Sequence, residues 1–131
     1  MHYINDLVVN GICWYVCIQT VQLLLEKLNH PKVVLTGIGY REGKTGVVLK
    51  DGQKLYHYAH PQIGKNYHGT GDMFAACFTG ALMQEKTMQH AIQIAADFVC
   101  RCIENTAENP AHWYGVRFET ALPYLIQRLI Q

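Results

Sequence analysis

The chain has 131 residues, of which half are hydrophobic, and its formal net charge at pH 7 is +1. A chain of this length can bury a hydrophobic core, so we expect residues 1–131 to form a single domain. The apolar content argues against intrinsic disorder, and the near-zero charge argues against nucleic-acid binding driven by bulk charge.

The cysteine and histidine patterns indicate core thiols rather than a metal site. The five cysteines are odd in number and include no C-x-x-C pair, and three of them lie inside apolar helical patterns. The seven histidines show no H-x-E or H-E-x-x-H spacing. We therefore expect reduced thiols in the core of a cytoplasmic protein, with a zinc site as the disfavoured alternative.

The N-terminal segment is apolar, but it differs from a targeting sequence. No basic region precedes it and Asp6 stands there instead, which argues against a signal peptide. Polar side chains interrupt residues 7–25, so we expect a buried or interface segment and no membrane contact. Residues 8–12 allow two short strands around an Asn-Gly turn or a helix broken at Gly11, and residues 14–16 weakly favour extended structure.

The first clear periodicity predicts a helix from about Thr20. Apolar residues recur there at helical spacing, with polar residues on the other side. The apolar positions are Val21, Leu24, Leu25 and Leu28. Residues 29–31 (Asn-His-Pro) are typical of a helix end.

A short apolar run follows at residues 32–37 (Lys-Val-Val-Leu-Thr-Gly). Such a run after a helix predicts a buried parallel strand. Open α/β sheets bind ligands beyond the carboxyl ends of their strands, which would place Thr36 and Gly37 against a ligand. A strand end without a ligand is the equal alternative.

Two β-rich runs, residues 44–50 and 53–59, flank Asp51 and Gly52. This arrangement predicts a hairpin with a type I′ turn. Partial alternation in the second run predicts that one of its faces is solvated.

The most informative stretch is residues 67–74 (Tyr-His-Gly-Thr-Gly-Asp-Met-Phe). Gly69, Thr70 and Gly71 predict a tight turn that aims consecutive N–H groups at one point, at a helix start that favours negative charge. Asp72 stands beside this turn, where it could take the proton of a bound hydroxyl group. An anion-binding turn beside a base suits phosphoryl transfer to an alcohol, and a plain helix cap is the alternative.

The rest of the chain predicts three helices with apolar core stripes, at residues 73–82, 88–103 and 122–129. Thr87 and Thr120 are candidate caps for the second and third helices. Residues 104–117 predict a polar loop that carries aromatic side chains.

The order of these features resembles the C-terminal half of pyridoxal kinase-like proteins of the ribokinase superfamily. The features are a strand ending in Val-Leu-Thr-Gly, a hairpin, His-Gly-Thr-Gly-Asp before an alanine-rich helix, and a final Tyr-Gly-Val-x-Phe-Glu. The resemblance covers residues 20–130, and residues 1–19 match poorly. It implies an α/β fold, the ribokinase-like three-layer sandwich, represented here by its C-terminal nucleotide-binding part with parallel strands, a hairpin and helices packed on the sheet.

The flanks of the turn favour the pyridoxal kinase branch of this superfamily. His68 precedes the glycines, and residues 114–119 read Tyr-Gly-Val-Arg-Phe-Glu. The related hydroxymethylpyrimidine kinases often carry a Cys where this chain has Asp72. The resemblance therefore implies phosphorylation of the hydroxymethyl group of pyridoxal, pyridoxine or pyridoxamine, as in vitamin B6 salvage, with ATP and Mg²⁺ as cofactors.

The resemblance also implies roles for the residues of the turn. The backbone N–H groups of Gly69, Thr70 and Gly71 would form the anion hole for the transferred phosphoryl group. Asp72 would act as the base on the hydroxymethyl group of the substrate.

Four further residues are implied as contacts of the nucleotide, and none as a metal ligand. Thr36 and Gly37 would contact the phosphates. His68 and Lys44 are candidate phosphate neighbours, with a structural turn histidine and a solvated hairpin lysine as the alternatives.

The chain departs from the family pattern in its length and in one motif. Enzymes of this family are longer, and the additional part supplies the first βαβ units and most of the substrate pocket. The Asn-x-x-Glu segment that helps to place magnesium and phosphate is not recognisable. We therefore expect a homodimer or association with a missing N-terminal half. The alternatives are an incomplete fragment that retains only nucleotide or partner binding, and a hydroxymethylpyrimidine or other ribokinase-type kinase.

Overall fold

The computed structural model describes residues 14–41, 44–61, 67, 69–108 and 115–131. The chain divides into two compact units, Met1–Gln62 and Ile63–Gln131. The elements of the first unit are α1 (Trp14–Leu28), β1 (Lys32–Arg41), β2 (Lys44–Asp51) and β3 (Lys54–Pro61). Those of the second are α2 (Thr70–Met83), α3 (Met88–Ala107), a 3₁₀ turn (Glu119–Ala121) and α4 (Leu122–Ile130). The alternatives predicted for residues 8–12 lie outside the described residues.

The three strands form one antiparallel sheet in the order β1-β2-β3. β1 pairs with β2 from Lys32, opposite Asp51, to Arg41, opposite Lys44. The strand predicted at residues 32–37 is present, but its predicted parallel pairing is wrong, because the described residues pair antiparallel. Two residues connect β1 to β2, and so short a connection must reverse the chain, whereas a parallel neighbour needs a crossover of about a dozen residues or more.

β1 also continues beyond the predicted strand end at Gly37. Leu35 pairs with Val48 and Ile38 with Gly46, so β1 carries one extra residue at this point. Gly37 adopts a φ of 70°, a left-handed conformation that glycine reaches without steric cost. Residues 36 and 37 therefore lie in a β-bulge within the strand.

The hairpin predicted around Asp51 and Gly52 is confirmed, and its turn differs from the predicted type. Asp51 pairs with Lys54, which leaves Gly52 and Gln53 as the two central residues. Gly52 has a φ of 63°, whereas Gln53 is not among the described non-glycine residues with positive φ. A left-handed glycine at the first central position alone is typical of a type II′ turn, because type I′ needs positive φ at both. The burial of β3 alternates, which confirms its solvated face.

α1 packs on the sheet through the apolar stripe that the sequence predicts. Its cluster consists of Val21, Leu25, Leu35, Ile38 and Val48. The helix ends as predicted: Asn29 adopts a φ of 45°, and its N–H group donates to the carbonyl oxygens of Leu25 (3.3 Å) and Glu26 (3.2 Å). The helix starts earlier than predicted, at Trp14, because the helical pattern that follows outweighs the weak extended preference of residues 14–16.

In the described part of the second unit, the helices share two buried clusters. One cluster contains Ala81, Ala91 and Ile94, with Leu125 and Leu129 of α4 packed against it. The other contains Phe98, Cys102 and Ala121. These clusters confirm the helical core stripes predicted for residues 73–82, 88–103 and 122–129.

The ends of α3 and α4 test the predicted caps and loop. Thr87 caps α3 as predicted, because its Oγ1 accepts from the N–H group of His90 at 3.1 Å. α3 then runs to Ala107, so the first residues of the predicted loop are helical. Thr120 is not the cap of α4, which is Ala121; Thr120 lies in the 3₁₀ turn and donates to the carbonyl oxygen of Arg117 at 3.2 Å.

A charged contact joins α4 to α3. Arg128 donates from Nη1 to Asp97 Oδ2 at 2.6 Å and to the hydroxyl oxygen of Tyr124 at 2.7 Å. The guanidinium of Arg101 lies over the Tyr124 ring, 4.7 Å from its centroid. Within the described part of the chain, no helix is long and apolar enough to cross a membrane.

The packing of α1 on β1 predicts the cost of truncating Leu35. This residue is 3% exposed inside the first cluster, so Leu35→Ala removes buried contacts and leaves a cavity. We expect the free energy of unfolding to fall by about 2–5 kcal/mol. Leu55→Ala is the matched control on the same sheet, because Leu55 is 42% exposed, and it should change this free energy by about 0.5 kcal/mol or less. Equal losses in urea denaturation would contradict the packing.

Candidate functional site

The predicted turn begins α2 through a left-handed residue. Gly69 is the N-cap, with a φ of 87° and a ψ of −2°, and the N–H group of Met73 donates to its carbonyl oxygen at 3.0 Å. The first three helical positions are therefore Thr70, Gly71 and Asp72. Because the N–H groups at the start of a helix have no acceptor within it, those of Gly69, Thr70 and Gly71 are available to an anion.

The space beside the turn is open. A Cβ atom added at Gly69 or at Gly71 would meet no atom of the described residues within 4 Å. Both glycines and Asp72 are exposed. Thr70 is partly buried, and its hydroxyl group donates to the carbonyl oxygen of Tyr67 at 3.4 Å. A ligand atom can therefore approach the backbone at Gly69 and at Gly71 without displacing a described side chain.

Asp72 is the acidic residue in the first turn of α2. A carboxylate at this position interacts favourably with the positive end of the helix. Since the side chain is exposed and lies one residue from the second glycine, it is placed to accept a proton from a hydroxyl group bound at the same end. The turn thus brings three backbone N–H groups and one carboxylate together within four residues.

Three of the other candidates lie on the sheet of the first unit. Thr36 and Gly37 share the β-bulge of β1, where Gly37 is exposed and Thr36 is partly buried. Lys44 is exposed at the start of β2, paired in register with Arg41 and Pro61. These three residues belong to the first unit, whereas residues 69–72 belong to the second. His68 lies outside the described residues.

The cysteines of the second unit are poor nucleophiles. None of Cys77, Cys100 and Cys102 forms a disulfide bond. Burial raises the pKa of Cys77 to about 11 and the pKa values of Cys100 and Cys102 to about 12. These thiols are therefore protonated near neutral pH, as expected for core thiols. Among the residues described, no group of three or more His, Cys, Asp or Glu side chains could hold a metal ion.

Thr106 is a structural residue that the sequence prediction missed. It is 0% exposed, and it bonds both to its own helix and to the segment before α4. The sequence prediction assigns it to a polar loop because residues 104–117 are mostly polar and carry aromatic side chains. The signal that could have found it is the helical spacing of Cys102 and Thr106, four residues apart.

With this geometry established, comparison with known proteins decides the family. A model of the phosphomethylpyrimidine kinase family matches residues 16–116. The chain belongs to this family. The match includes the hairpin, the Gly69–Asp72 turn and α3.

Two relatives resemble the chain in sequence. A hydroxymethylpyrimidine/phosphomethylpyrimidine kinase of Bacillus subtilis (strain 168) is 38% identical over 85 residues, which cover 63% of this chain and 31% of that protein. A Bacteroides thetaiotaomicron VPI-5482 protein assigned as a phosphomethylpyrimidine kinase is 27% identical, with a TM-score of 0.70 over 79% of this chain and 36% of that one.

Two pyridoxal kinase structures share the fold. The enzyme of Entamoeba histolytica has a TM-score of 0.67 at 16% identity and covers 80% of this chain and 37% of its own. That of Lactobacillus plantarum has a TM-score of 0.64 at 22% identity, over 73% of this chain and 35% of its own. The predicted ribokinase-like α/β fold is confirmed. This chain spans about a third of the length of the relatives that it matches.

The left-handed backbone of Gly69 predicts a penalty for any side chain there. Gly69→Ala should lower the free energy of unfolding by about 1–2 kcal/mol through backbone strain alone, because open space surrounds the added methyl group. Gly80→Ala is the matched control, since it also meets nothing within 4 Å but lies inside α2. It should raise stability by about 0.5–1 kcal/mol. Thermal unfolding that ranks the two variants equally would contradict the left-handed turn.

Proposed function

We propose that this chain is the nucleotide-binding part of an ATP-dependent kinase that phosphorylates a hydroxymethyl group on a small ring. The observation that carries the proposal is the start of α2. There a left-handed Gly69 leaves three backbone N–H groups and the Asp72 carboxylate on one exposed helix end. Membership of a kinase family supports the same chemistry.

The backbone and the side chain of the turn would have different roles in phosphoryl transfer. The N–H groups of Thr70 and Gly71, with that of Gly69 beside them, would donate to phosphate oxygens and stabilise the negative charge that builds up during transfer. Asp72 would take the proton of the substrate hydroxyl as its oxygen forms a bond to phosphorus. ATP, when bound, would supply the phosphoryl group, whose bond to the departing ADP oxygen breaks as the new bond forms. The space beside both glycines supports this role, and we assign no magnesium ligand among the described residues.

For the substrate, we propose a vitamin B6-type ring: pyridoxal, pyridoxine or pyridoxamine. The support is Asp72 within Gly-Thr-Gly-Asp, together with Tyr-Gly-Val-Arg-Phe-Glu at residues 114–119. The second candidate is hydroxymethylpyrimidine, favoured by the 38% identity to the Bacillus subtilis kinase. Both are nitrogen heterocycles with a primary hydroxymethyl group, so one turn and one base serve either.

We also propose that activity requires more than this chain provides. Its matches cover only 31–37% of the relatives, which leaves most of a family enzyme without a counterpart here. A homodimer or an N-terminal half would supply the remainder of the pocket. In that case the chain alone binds nucleotide without phosphorylating the substrate. A joined protein, in which this chain is connected to the rest of a family enzyme, phosphorylates it.

Replacing the proposed base tests the mechanism. In a protein that joins this chain to the rest of a family enzyme, Asp72→Asn should lower kcat by about 10²–10⁴-fold, because the amide cannot accept the hydroxyl proton. ATP affinity, measured by calorimetry, should change little, since the backbone donors remain. Asp51→Asn is the control, an exposed carboxylate in the hairpin, and should leave kcat unchanged. Undiminished turnover in Asp72→Asn would remove this residue from its role.

The proposed substrate is tested by comparing kcat/KM for pyridoxal with kcat/KM for hydroxymethylpyrimidine. We expect kcat/KM to be at least about tenfold higher for pyridoxal than for hydroxymethylpyrimidine in the joined protein, a difference of about 1.4 kcal/mol in transition-state binding. A higher kcat/KM for hydroxymethylpyrimidine would contradict the vitamin B6 proposal and support hydroxymethylpyrimidine as the substrate. If wild-type protein of confirmed fold gives no calorimetric heat with ATP and magnesium, the kinase proposal itself fails.

A further inference from the structure

The strongest unexplained feature of the second unit is the buried hydroxyl group of Thr106. It donates to the carbonyl oxygen of Cys102 at 2.7 Å, one turn earlier in α3. It also accepts from the N–H group of Arg117 at 2.7 Å, eleven residues later in the chain. Both contacts are short, and the residue is 0% exposed, so water cannot replace either one without local opening.

The neighbouring residue of α3 holds the other side of Arg117. Asn105 donates from Nδ2 to Thr120 Oγ1 at 2.7 Å, and Thr120 donates in turn to the carbonyl oxygen of Arg117 at 3.2 Å. The last turn of α3 thus fixes both the N–H group and the carbonyl group of one residue. We call this arrangement, formed by Asn105, Thr106 and Thr120 around Arg117, the Arg117 clamp.

The Arg117 clamp fixes the residue that precedes it. Val116 packs against the buried cluster of Phe98, Cys102 and Ala121. Two residues of α2, Met73 and Cys77, pack against the same cluster. The clamp and the first turns of α2 therefore share one support.

Met73 connects this support to the proposed site. It directly follows Asp72, and its N–H group makes the hydrogen bond to Gly69 that closes the first turn of α2. A shift of Met73 would therefore tilt the N–H groups of the turn and move Asp72. Side chains that must hold a geometry to within a fraction of an ångström depend on such packing beneath them.

We propose that Thr106 is a positioning residue for the Gly69–Asp72 turn. By holding the backbone of Arg117, it keeps Val116 in the cluster on which Met73 rests. The effect on nucleotide binding rests on the function proposed above. The effect on the geometry of the turn does not.

The test compares three variants of the whole chain by hydrogen exchange and by calorimetry with ATP and magnesium. Thr106→Val removes the hydroxyl group and keeps the shape of the side chain, and Thr106→Ser keeps the hydroxyl group. Thr87→Val is the matched control, because Thr87 also makes a side-chain hydrogen bond to the backbone, at the opposite end of the same helix.

We expect Thr106→Val to accelerate exchange of the Met73 amide by about tenfold and to weaken ATP binding by a similar factor. Thr106→Ser should retain wild-type behaviour in both measurements. Thr87→Val should lower the melting temperature while leaving both measurements near wild type. Met73 exchange that rises equally in Thr106→Val and Thr87→Val, or in neither, would overturn the inference.

Two further outcomes remain decisive. If Thr106→Val does not fold, Thr120→Val takes its place, because it releases the carbonyl group of Arg117 from an exposed position. Unchanged Met73 exchange in that variant would overturn the inference. If wild-type protein binds no ATP, the proposed function fails, and the exchange measurement still decides whether Thr106 positions the turn.

Discussion

The left-handed backbone of Gly69 is the constraint on which the candidate site depends. A residue with φ near 87° directly before a helix turns the chain sharply and lets α2 begin at Thr70. Asp72 then lies in the first turn, and three amides face outwards at the same end. A residue with a side chain at position 69 would be strained in this conformation. Its side chain would also occupy the open space beside the turn.

Apolar packing beneath the start of α2 supports the turn. Met73 and Cys77 rest on Phe98, Cys102 and Ala121, and α3 contributes the first two of these. The hydrogen bonds of Thr106 lie at the edge of that cluster, where they join α3 to the segment before α4. An exposed site supported by a buried cluster is suited to a ligand that binds the backbone directly. The packing keeps the N–H groups oriented, while the ligand can still reach them from solvent.

Several differences between prediction and structure have one cause, which is that tertiary contacts override local preference. Asn105 and Thr106 disfavour helix, yet both are helical, because their side chains are bonded to the segment at residues 117–120. Thr120 is likewise drawn into a 3₁₀ turn and does not cap α4. The antiparallel pairing of β1 follows from a two-residue connection, whereas its apolar run alone resembles a parallel strand.

The sequence by itself determined the features that depend on neighbouring residues. These include the glycine turn before α2, the hairpin around Gly52, the cap at Thr87 and the helical core stripes, because each is set by conformational preference or by spacing of 3.6 or 2 residues. Only the tertiary structure decided the direction of β1, the bulge at Gly37 and the clamp around Arg117. Those features depend on the contacts that one element makes with another, and the free energy of such contacts is not encoded in the pattern of either element alone.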